Sequence, residues 1–321
     1  MRISEIINEG GHVFAEKTTA IKREDIAPTL AAYFKELKQL FPKKASIFST
    51  EYFIPLGSVG KKPVSGDIDL GIDASTILDK TMSDTSVAAW NIDPKQLQKE
   101  FEILQKRARS SSPEQLRMKA FLKLLTKFLN ARSNNIESSE KKVTTGNMFT
   151  LFPQVTASGK GNDKGVQIDW MIGNLNWLKF SYYSSEYPEG SNVKGLHRTQ
   201  LLLSAFQTAN LAFDHVSGVK DKETGKILAT DPDTALKALG KRLGFAIPIE
   251  DVENFYKLND LLAKNMTPQQ YRETLDRYYR TLDSTRADIP DNLQKDWLTR
   301  KDALNLTGAF LPDTSNLQRY L

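Results

Sequence analysis

Apolar residues recur at helical spacing early in the chain and soon afterwards alternate with polar ones. Residues 25–41 carry them on one helix face, with Pro28 in the first turn and Pro42 just past the end, and therefore predict an opening helix. Residues 49–56 are rich in aromatic and β-branched side chains, and residues 67–72 alternate acid with apolar residue, so both segments predict strands. The chain thus begins as a mixture of helix and strand.

A pair of helices and a hairpin are predicted next. Residues 94–109 and 113–132 have helical periodicity, and the second of these segments carries its leucine and phenylalanine side chains on one face. Residues 147–156 and 166–173 are extended apolar runs, joined by a turn-rich segment of glycine, asparagine and aspartate. That pattern is typical of a β-hairpin.

Beyond the hairpin the pattern is mostly helical. Asp231 and Thr267 each precede a proline and have the form of helix N-caps. The turn-rich segment 181–194 is predicted to link two parts of the chain. The helices predicted in the second part are 195–216, 231–243, 250–263, 267–282 and 290–304.

These elements predict an α+β fold. We expect a mixed β-sheet with helices in a first domain, residues 1–180, followed by an all-helical C-terminal domain, residues 181–321. With 321 residues, of which 40% are hydrophobic, the chain is long enough to bury a sizeable core in one large domain or two modest ones.

The composition limits which chemistry the chain performs. It contains no cysteine, which excludes disulfides, zinc–thiolate sites and a cysteine nucleophile. Its three histidines, His12, His197 and His215, lack the sequence spacing of a histidine metal site. A metal would therefore be held by carboxylates, which favour magnesium, manganese or calcium.

The formal net charge of +5 is a moderate positive bias, which favours approach to a polyanion such as RNA or DNA but is shared by many soluble proteins. No segment contains the roughly 18 to 20 consecutive apolar residues of a membrane span. The first residues carry acids instead of a charged leader followed by an apolar run. We therefore expect an intracellular, cytoplasmic protein without a membrane partner.

The candidate chemistry lies in residues 56–70, LGSVGKKPVSGDIDL. Gly57 and Ser58 follow a predicted strand, where a glycine lets backbone amides approach an oxyanion and a serine adds a hydroxyl donor, an arrangement that suits a phosphate. Asp67 and Asp69 flank one apolar residue of the next strand, so both carboxylates project on one face. Two carboxylates that close repel one another and favour a divalent cation between them.

Asp169 is the third candidate ligand. It is a lone acid between Ile168 and Trp170 in an apolar strand, and a carboxylate in that place is unfavourable without a balancing cation. Two magnesium ions roughly 3.5 to 4 Å apart can activate a hydroxyl and stabilise a leaving pyrophosphate. Asp73 and Asp163 are the next candidates for the third acid. The alternatives are that Asp67 and Asp69 are solvent-facing acids at a strand end or caps of a turn, and that Asp169 is an outward polar residue on a half-buried strand.

Together these residues resemble the signature of the DNA polymerase β superfamily of nucleotidyltransferases. The shared pattern is an apolar residue, Gly57-Ser58, a gap of eight residues, Asp67-apolar-Asp69, and a later strand with Asp169 between apolar residues. The string GSVGKKPVSGDIDL resembles the corresponding loop of the X-family polymerases.

The resemblance covers about residues 50–173 as a fold. The two helices near 94–132 depart from the simplest family layout, because they form an insertion between the second and third acids. The chain also resembles bacteriophage proteins of this superfamily in its short N-terminal leader, and a phage-encoded member would act in the host cytoplasm.

The resemblance implies roles for the three acids. Asp67 and Asp69 would each ligate Mg²⁺ or Mn²⁺. Asp169 would hold the catalytic ion and help to remove the proton of the acceptor hydroxyl.

The resemblance also implies an NTP-binding loop. Gly57 and Ser58 would bind the β and γ phosphates of the NTP. Lys61 and Lys62, in the same loop, would neutralise the triphosphate, although ordinary solvated lysines fit the sequence equally well.

The function implied is transfer of a nucleoside monophosphate from an NTP to a hydroxyl, with release of pyrophosphate. The positive charge and the resemblance to X-family polymerases favour a nucleic-acid 3′ end as the acceptor, such as RNA or tRNA. A toxin-like or protein-modifying nucleotidyltransferase and a catalytically silent nucleic-acid-binding module are the alternatives.

Overall fold

The structure is a computed structural model, and it divides into two compact units. The first unit ends at Lys179, and the second contains the chain from Phe180 onward. Among the described residues, every helix is too short or too polar to span a bilayer. The residues described are 13–61, 63–79, 81–108, 111–159, 161–187, 191–215, 217–309 and 311.

Seven strands lie in the described part of the first unit. They are β1 (Ile21–Lys22), β2 (Phe53–Pro55), β3 (Val64–Ser65), β4 (Ile68–Asp73), β5 (Glu137–Ser138), β6 (Asn147–Val155) and β7 (Gly161–Gly173). Five of them form one mixed sheet in the order β2-β4-β7-β6-β5, and β1 pairs with β3 in a separate antiparallel ribbon. β4 and β7 run parallel, whereas the other neighbouring strands are antiparallel, so the sheet is mixed. β7 is the third of its five strands and lies at its centre.

Helices accompany this sheet. They are α1 (Arg23–Leu40), α2 (Ala74–Ile77), α3 (Asp84–Ala88), α4 (Pro94–Arg107) and α5 (Pro113–Arg132), and α6 (Leu175–Ser181) follows β7. α5 begins at a capping box, in which the Ser112 side chain accepts from the Gln115 N–H and the Gln115 side chain accepts from the Ser112 N–H. The helices predicted over 25–41, 94–109 and 113–132 are present, with boundaries no more than two residues from α1, α4 and α5.

One face of the sheet carries the hydrophobic core of this unit. Trp170 packs edge-on against Phe53 with ring centroids 4.9 Å apart, and its indole N–H donates to the Tyr33 hydroxyl at 2.9 Å. α1 and α5 cover this face with their apolar side chains. The alternate residues of β4 and β7 point to the other face, where the aspartates lie.

The second unit combines helices with a small sheet. Its elements are α7 (Gly195–Thr208), β8 (Leu211–Asp214), β9 (Gly218–Asp221), β10 (Ile227–Ala229), α8 (Pro232–Leu243), α9 (Ile249–Val252), α10 (Phe255–Asn265), α11 (Pro268–Thr285) and α12 (Gln294–Arg300). The prediction of an all-helical C-terminal portion is therefore wrong, because β8, β9 and β10 form an antiparallel sheet.

The helix predicted over 195–216 ends at Thr208 for a local reason. Asn210 has a φ of +57°, a left-handed conformation that asparagine tolerates and that ends a helix. Leu211 and Phe213 are buried while the residues beside them are half-buried, which is the two-residue period of a strand.

The helix predicted over 250–263 is divided into α9 and α10. The Asn254 side chain accepts the backbone N–H groups of Tyr256 and Lys257 and so starts a new helix. The helix predicted over 290–304 is shorter in the structure and corresponds to α12. The first difference divides one predicted helix into two, and the second shortens a helix.

Candidate metal centre

Two neighbouring strands bring two aspartates side by side. In the parallel pairing of β4 with β7, Asp69 lies directly opposite Asp169. Asp67 lies immediately before β4 and two residues before Asp69, so the alternation of side chains places it on the same side of the sheet. The strand pairing therefore gathers residues that are 100 positions apart in the sequence.

The three carboxylates form a compact group. One oxygen atom of each can be chosen so that all three lie within 4.8 Å of one another. Asp169 is fully buried, whereas Asp67 and Asp69 are half-buried. Like charges at this separation repel, and burial weakens the solvation that would offset the repulsion.

The donor set fits a divalent cation. All three ligands are carboxylate oxygens, which Mg²⁺ and Mn²⁺ prefer, and the site is open on the side of the half-buried Asp67 and Asp69. A cation held there would neutralise the repulsion between the carboxylates and leave coordination positions for oxygen atoms of a substrate. The arrangement is therefore chemically able to hold a metal and present it to a ligand.

Gln167 supports Asp169 from the same strand. Its side-chain amide N–H donates to Asp169 Oδ2 at 2.9 Å, and its amide oxygen accepts the Val13 N–H at 3.0 Å. Because the oxygen already has a backbone donor, the amide is fixed with its NH₂ group toward Asp169. Gln167 has no signal in the sequence, since its partner Val13 lies 154 residues away.

The loop before β4 is held against the strand that carries Asp69. The backbone N–H of Leu56 donates to the carbonyl oxygen of Asp69 at 2.9 Å, and the Lys61 N–H donates to the Ser58 carbonyl at 3.0 Å. Gly57 has a φ of +60°, in the left-handed region that glycine adopts without strain. Of the loop residues predicted to bind phosphate, Ser58 is half-buried and Lys61 is exposed, while Lys62 lies outside the described residues.

A glycine in β4 allows this close approach. A Cβ atom on Gly71 would lie 2.9 Å from the Leu56 side chain, so only glycine fits without displacing it. Leu56 is buried and precedes Gly57, and its packing over Gly71 therefore fixes where the loop begins.

The two other candidate acids are not part of the group. Asp73 lies at the far end of β4, where its Oδ1 accepts the Ser75 N–H at 3.0 Å and caps α2. The side chain of Asp163 lies outside the described part of the chain. Among the described residues, Asp169 is thus the acid that joins Asp67 and Asp69.

The buried acid also affects the core side of the sheet. Burial raises the pKa of the Tyr33 phenol well above its ordinary value, and the negative charge of Asp169 adds to the rise. Tyr33 therefore stays protonated, hydrogen-bonded to Thr150 at 3.0 Å and to Trp170. This network fixes the core side of β7 beneath Asp169.

Comparison with known proteins gives weak structural similarity, and one of the matching structures is a polymerase β. No family model matches the chain, and no curated protein matches its sequence. A crystal structure of polymerase β from Leishmania infantum, a ternary gap complex, aligns with 87% of this chain and 72% of that one, at 12% identity and a TM-score of 0.33. At that TM-score the similarity carries no argument about function, so the site stands on its own geometry.

Proposed function

We propose that this protein is a metal-dependent nucleotidyltransferase, which moves a nucleoside monophosphate from an NTP to a hydroxyl acceptor and releases pyrophosphate. The observation that carries the proposal is the convergence of Asp67, Asp69 and Asp169 on one face of two adjacent parallel strands. The catalytic domain would comprise residues 1–180, and residues 181–321 would form a second domain.

The three acids would share the work at the reacting centre. Asp67 and Asp69, which are half-buried, would hold Mg²⁺ or Mn²⁺ at the open side of the group. Asp169, oriented by Gln167, would bind the same centre from its buried side and help to take the proton of the acceptor hydroxyl. The bound metal supplies positive charge, which favours the deprotonated hydroxyl and the leaving pyrophosphate.

The loop before β4 would bind the triphosphate. Gly57 and Ser58 offer backbone amides and a hydroxyl close to β4. The residue before them, Leu56, is hydrogen-bonded through its backbone N–H to the carbonyl oxygen of Asp69. Lys61 is exposed in the same loop, and we propose that it and Lys62 neutralise phosphate charge. The acceptor would be a nucleic-acid 3′ end, RNA or tRNA, in keeping with the net charge of +5.

The test is a transfer assay with the full chain. The protein is incubated with NTPs labelled at the α-phosphate, with Mg²⁺ or Mn²⁺, and with a mixture of RNA, DNA and protein acceptors. We expect label on a nucleic-acid 3′ end and stoichiometric pyrophosphate. Asp69→Asn should lower the rate by roughly 100-fold or more, because it removes a metal ligand and its charge.

Asp73→Asn is the matched control for the transfer assay. It removes an acid from the same strand and face as Asp69. The two residues are about 13 Å apart along β4 at 3.3 Å per residue, and an asparagine at position 73 can still cap α2. Its rate should stay near that of the wild type. Label on protein alone would instead indicate a protein-modifying enzyme, and nucleic-acid binding without any transfer would indicate a silent module.

A further inference from the structure

The positive charge of the chain is concentrated in one short segment. Residues 94–132, which contain α4 and α5, carry ten lysine and arginine residues and three acids, a formal charge of +7. The whole chain has a formal charge of +5, so all of its other residues together have a charge of −2. The excess of positive charge that would attract a polyanion therefore lies in this pair of helices.

α4 carries its lysines along one face. Lys95, Lys99 and Lys106 follow one another at intervals of four and seven residues, which lie on the same side of an α-helix, and all three are exposed. At 1.5 Å per residue, this lysine face extends over about 17 Å. The opposite side of α4 carries apolar residues that pack against the core of the unit, namely Leu97, Phe101 and Leu104.

Acids of the fold neutralise little of the charge on the lysine face. Glu100 is turned toward α5, where it forms an ion pair with Lys123. Glu102 lies among the three lysines, and its carboxylate accepts a hydrogen bond from the Gln98 amide at 2.8 Å. In the part of the chain that the structure describes, neither the three lysines nor the exposed Arg107 at the end of α4 forms an ion pair. This face thus keeps a surplus of positive charge in contact with solvent.

The chemistry of this surface suits a phosphate backbone. α4 and α5, all of whose residues the structure describes, expose no aromatic side chain on which an unpaired base could stack. Protein interfaces depend on large anchor side chains, and Ile103 is the one large apolar side chain that these two helices expose. The apolar side of α4 is packed against the core, so it is not available to enter a lipid surface. Lysines without such neighbours bind backbone phosphates as point charges.

The lysine face belongs to the side of the sheet opposite the three acids. Ile168 and Trp170, which flank Asp169 in β7, point away from it and into the core, where they pack with apolar side chains of α4 and α5. A polyanion bound to the lysine face is therefore separated from the candidate metal centre by the sheet. The surface is distinct from the site at which a reacting hydroxyl would lie.

We propose that the lysine face of α4 binds the sugar-phosphate backbone of double-stranded nucleic acid without reading its sequence. A duplex presents its phosphates outward and keeps its bases stacked inside, which matches a surface of exposed lysines that lacks exposed aromatic side chains. The proposal does not depend on the proposed transfer reaction, because the contacts are made on the other side of the sheet. It adds a second binding surface to the first unit.

The test measures binding of the full chain to a fluorescein-labelled duplex of roughly 20 base pairs, two turns of the double helix, by anisotropy. The duplex is supplied as RNA and as DNA, without NTP or divalent metal, and the salt concentration is varied. Lys95→Gln combined with Lys99→Gln should weaken DNA binding about 10-fold and reduce the slope of log K against log salt by about 1.8, the loss of two phosphate contacts. Glutamine is as good a helix former as lysine, so α4 should remain folded.

Lys237→Gln combined with Lys241→Gln on α8 is the matched control. These two lysines are also exposed and four residues apart on one helix, and the substitutions change the net charge by the same amount. The control should bind the duplex with the affinity and the salt dependence of the wild type. Circular dichroism of both double variants checks that they are folded.

A single-stranded oligonucleotide of the same length and vesicles that contain phosphatidylserine are the competing ligands, and both should bind more weakly than the duplex. The proposal is overturned if the wild type does not bind the duplex, if the two double variants weaken binding equally, or if either competing ligand binds more tightly than the duplex. Loss of label transfer in the separate assay would count against the proposed function alone, since duplex binding is measured without NTP and metal.

Discussion

Gln167 links the buried acid of the site to the leading segment of the chain. It bonds to Asp169 through its NH₂ group and to the Val13 backbone through its oxygen. Asp169 is fully buried and Val13 is half-buried, so the bond to Asp169 in particular replaces solvation that the folded state lacks. Gln167 therefore stabilises the fold and, in our account, orients Asp169.

Replacing Gln167 separates these two roles. Gln167→Met keeps the approximate volume but leaves the Val13 N–H and one Asp169 oxygen without this partner, and should lower the free energy of unfolding by about 1 to 3 kcal/mol. Transfer kinetics should show a lower kcat, roughly 10-fold, with the KM for NTP little changed, because the loop that would bind phosphate is untouched.

Gln154→Met is the control for that experiment. Gln154 is also buried and ties the leading segment to the sheet, by donating to the Thr19 carbonyl at 2.9 Å, but it does not bond to an acid of the site. It should lower stability by a similar amount and leave kcat unchanged. Equal losses of kcat in both variants would mean that Gln167 acts only through stability.

At the residue scale, the sequence predicted the acids better than their surroundings. Asp67 and Asp69 are separated by one residue, and Asp169 is a lone acid in an apolar strand, so each stands out in its local pattern. Gln167 has no such signal, because it is a polar residue whose meaning depends on hydrogen bonds to Asp169 and to the distant Val13.

At the element scale, helices with long apolar periods were predictable and the strand pairing was not. The spacing over 113–132 gave both ends of α5 because proline and serine mark its start and the period runs through the whole segment. The parallel pairing that sets Asp69 opposite Asp169 depends on contacts 100 residues apart, and no local pattern encodes it. The strands β8, β9 and β10 were missed because they are only three or four residues long, and such short segments are a weak signal beside the apolar helix before them.

His215, just after β8, should make the second unit sensitive to acid. Burial lowers the pKa of its imidazole to about 4, while Asp214 opposes the shift and Arg198 adds to it. The folded state therefore favours the neutral ring. The free energy of unfolding keeps its full value above pH 6.5 and decreases as the pH falls from 6.5 to 4, because the unfolded state then binds a proton that the folded state does not. The loss amounts to roughly 3 kcal/mol.

The measurement is chemical unfolding between pH 7.5 and 4.5, followed in the wild type and in His215→Leu. The variant should lose less stability over this pH interval. The pH dependence that remains would come in part from His197, because burial also lowers the pKa of its imidazole. Identical pH dependence in the two proteins would show that His215 is not neutral and buried as the structure has it.

At the scale of the whole molecule, the three clustered carboxylates stand against a chain of positive net charge. The chain carries a formal charge of +5, yet Asp67, Asp69 and Asp169 lie within 4.8 Å of one another. Without a cation the cluster costs folding free energy, and with one it becomes a stabilising contact of the folded state alone. The metal should therefore be visible in global stability, independently of any acceptor.

Thermal unfolding with and without Mn²⁺ tests this central claim most directly. At 100 times the Kd, a cation bound only by the folded state adds about 2.7 kcal/mol, which should raise the Tm of this 321-residue chain by about 4 °C. Asp169→Asn should melt at or above the wild-type temperature in the absence of metal and gain little from Mn²⁺, whereas Asp73→Asn should respond like the wild type. A wild-type Tm that does not change on addition of Mn²⁺, or an Asp169→Asn protein that Mn²⁺ stabilises as much as the wild type, would contradict this claim.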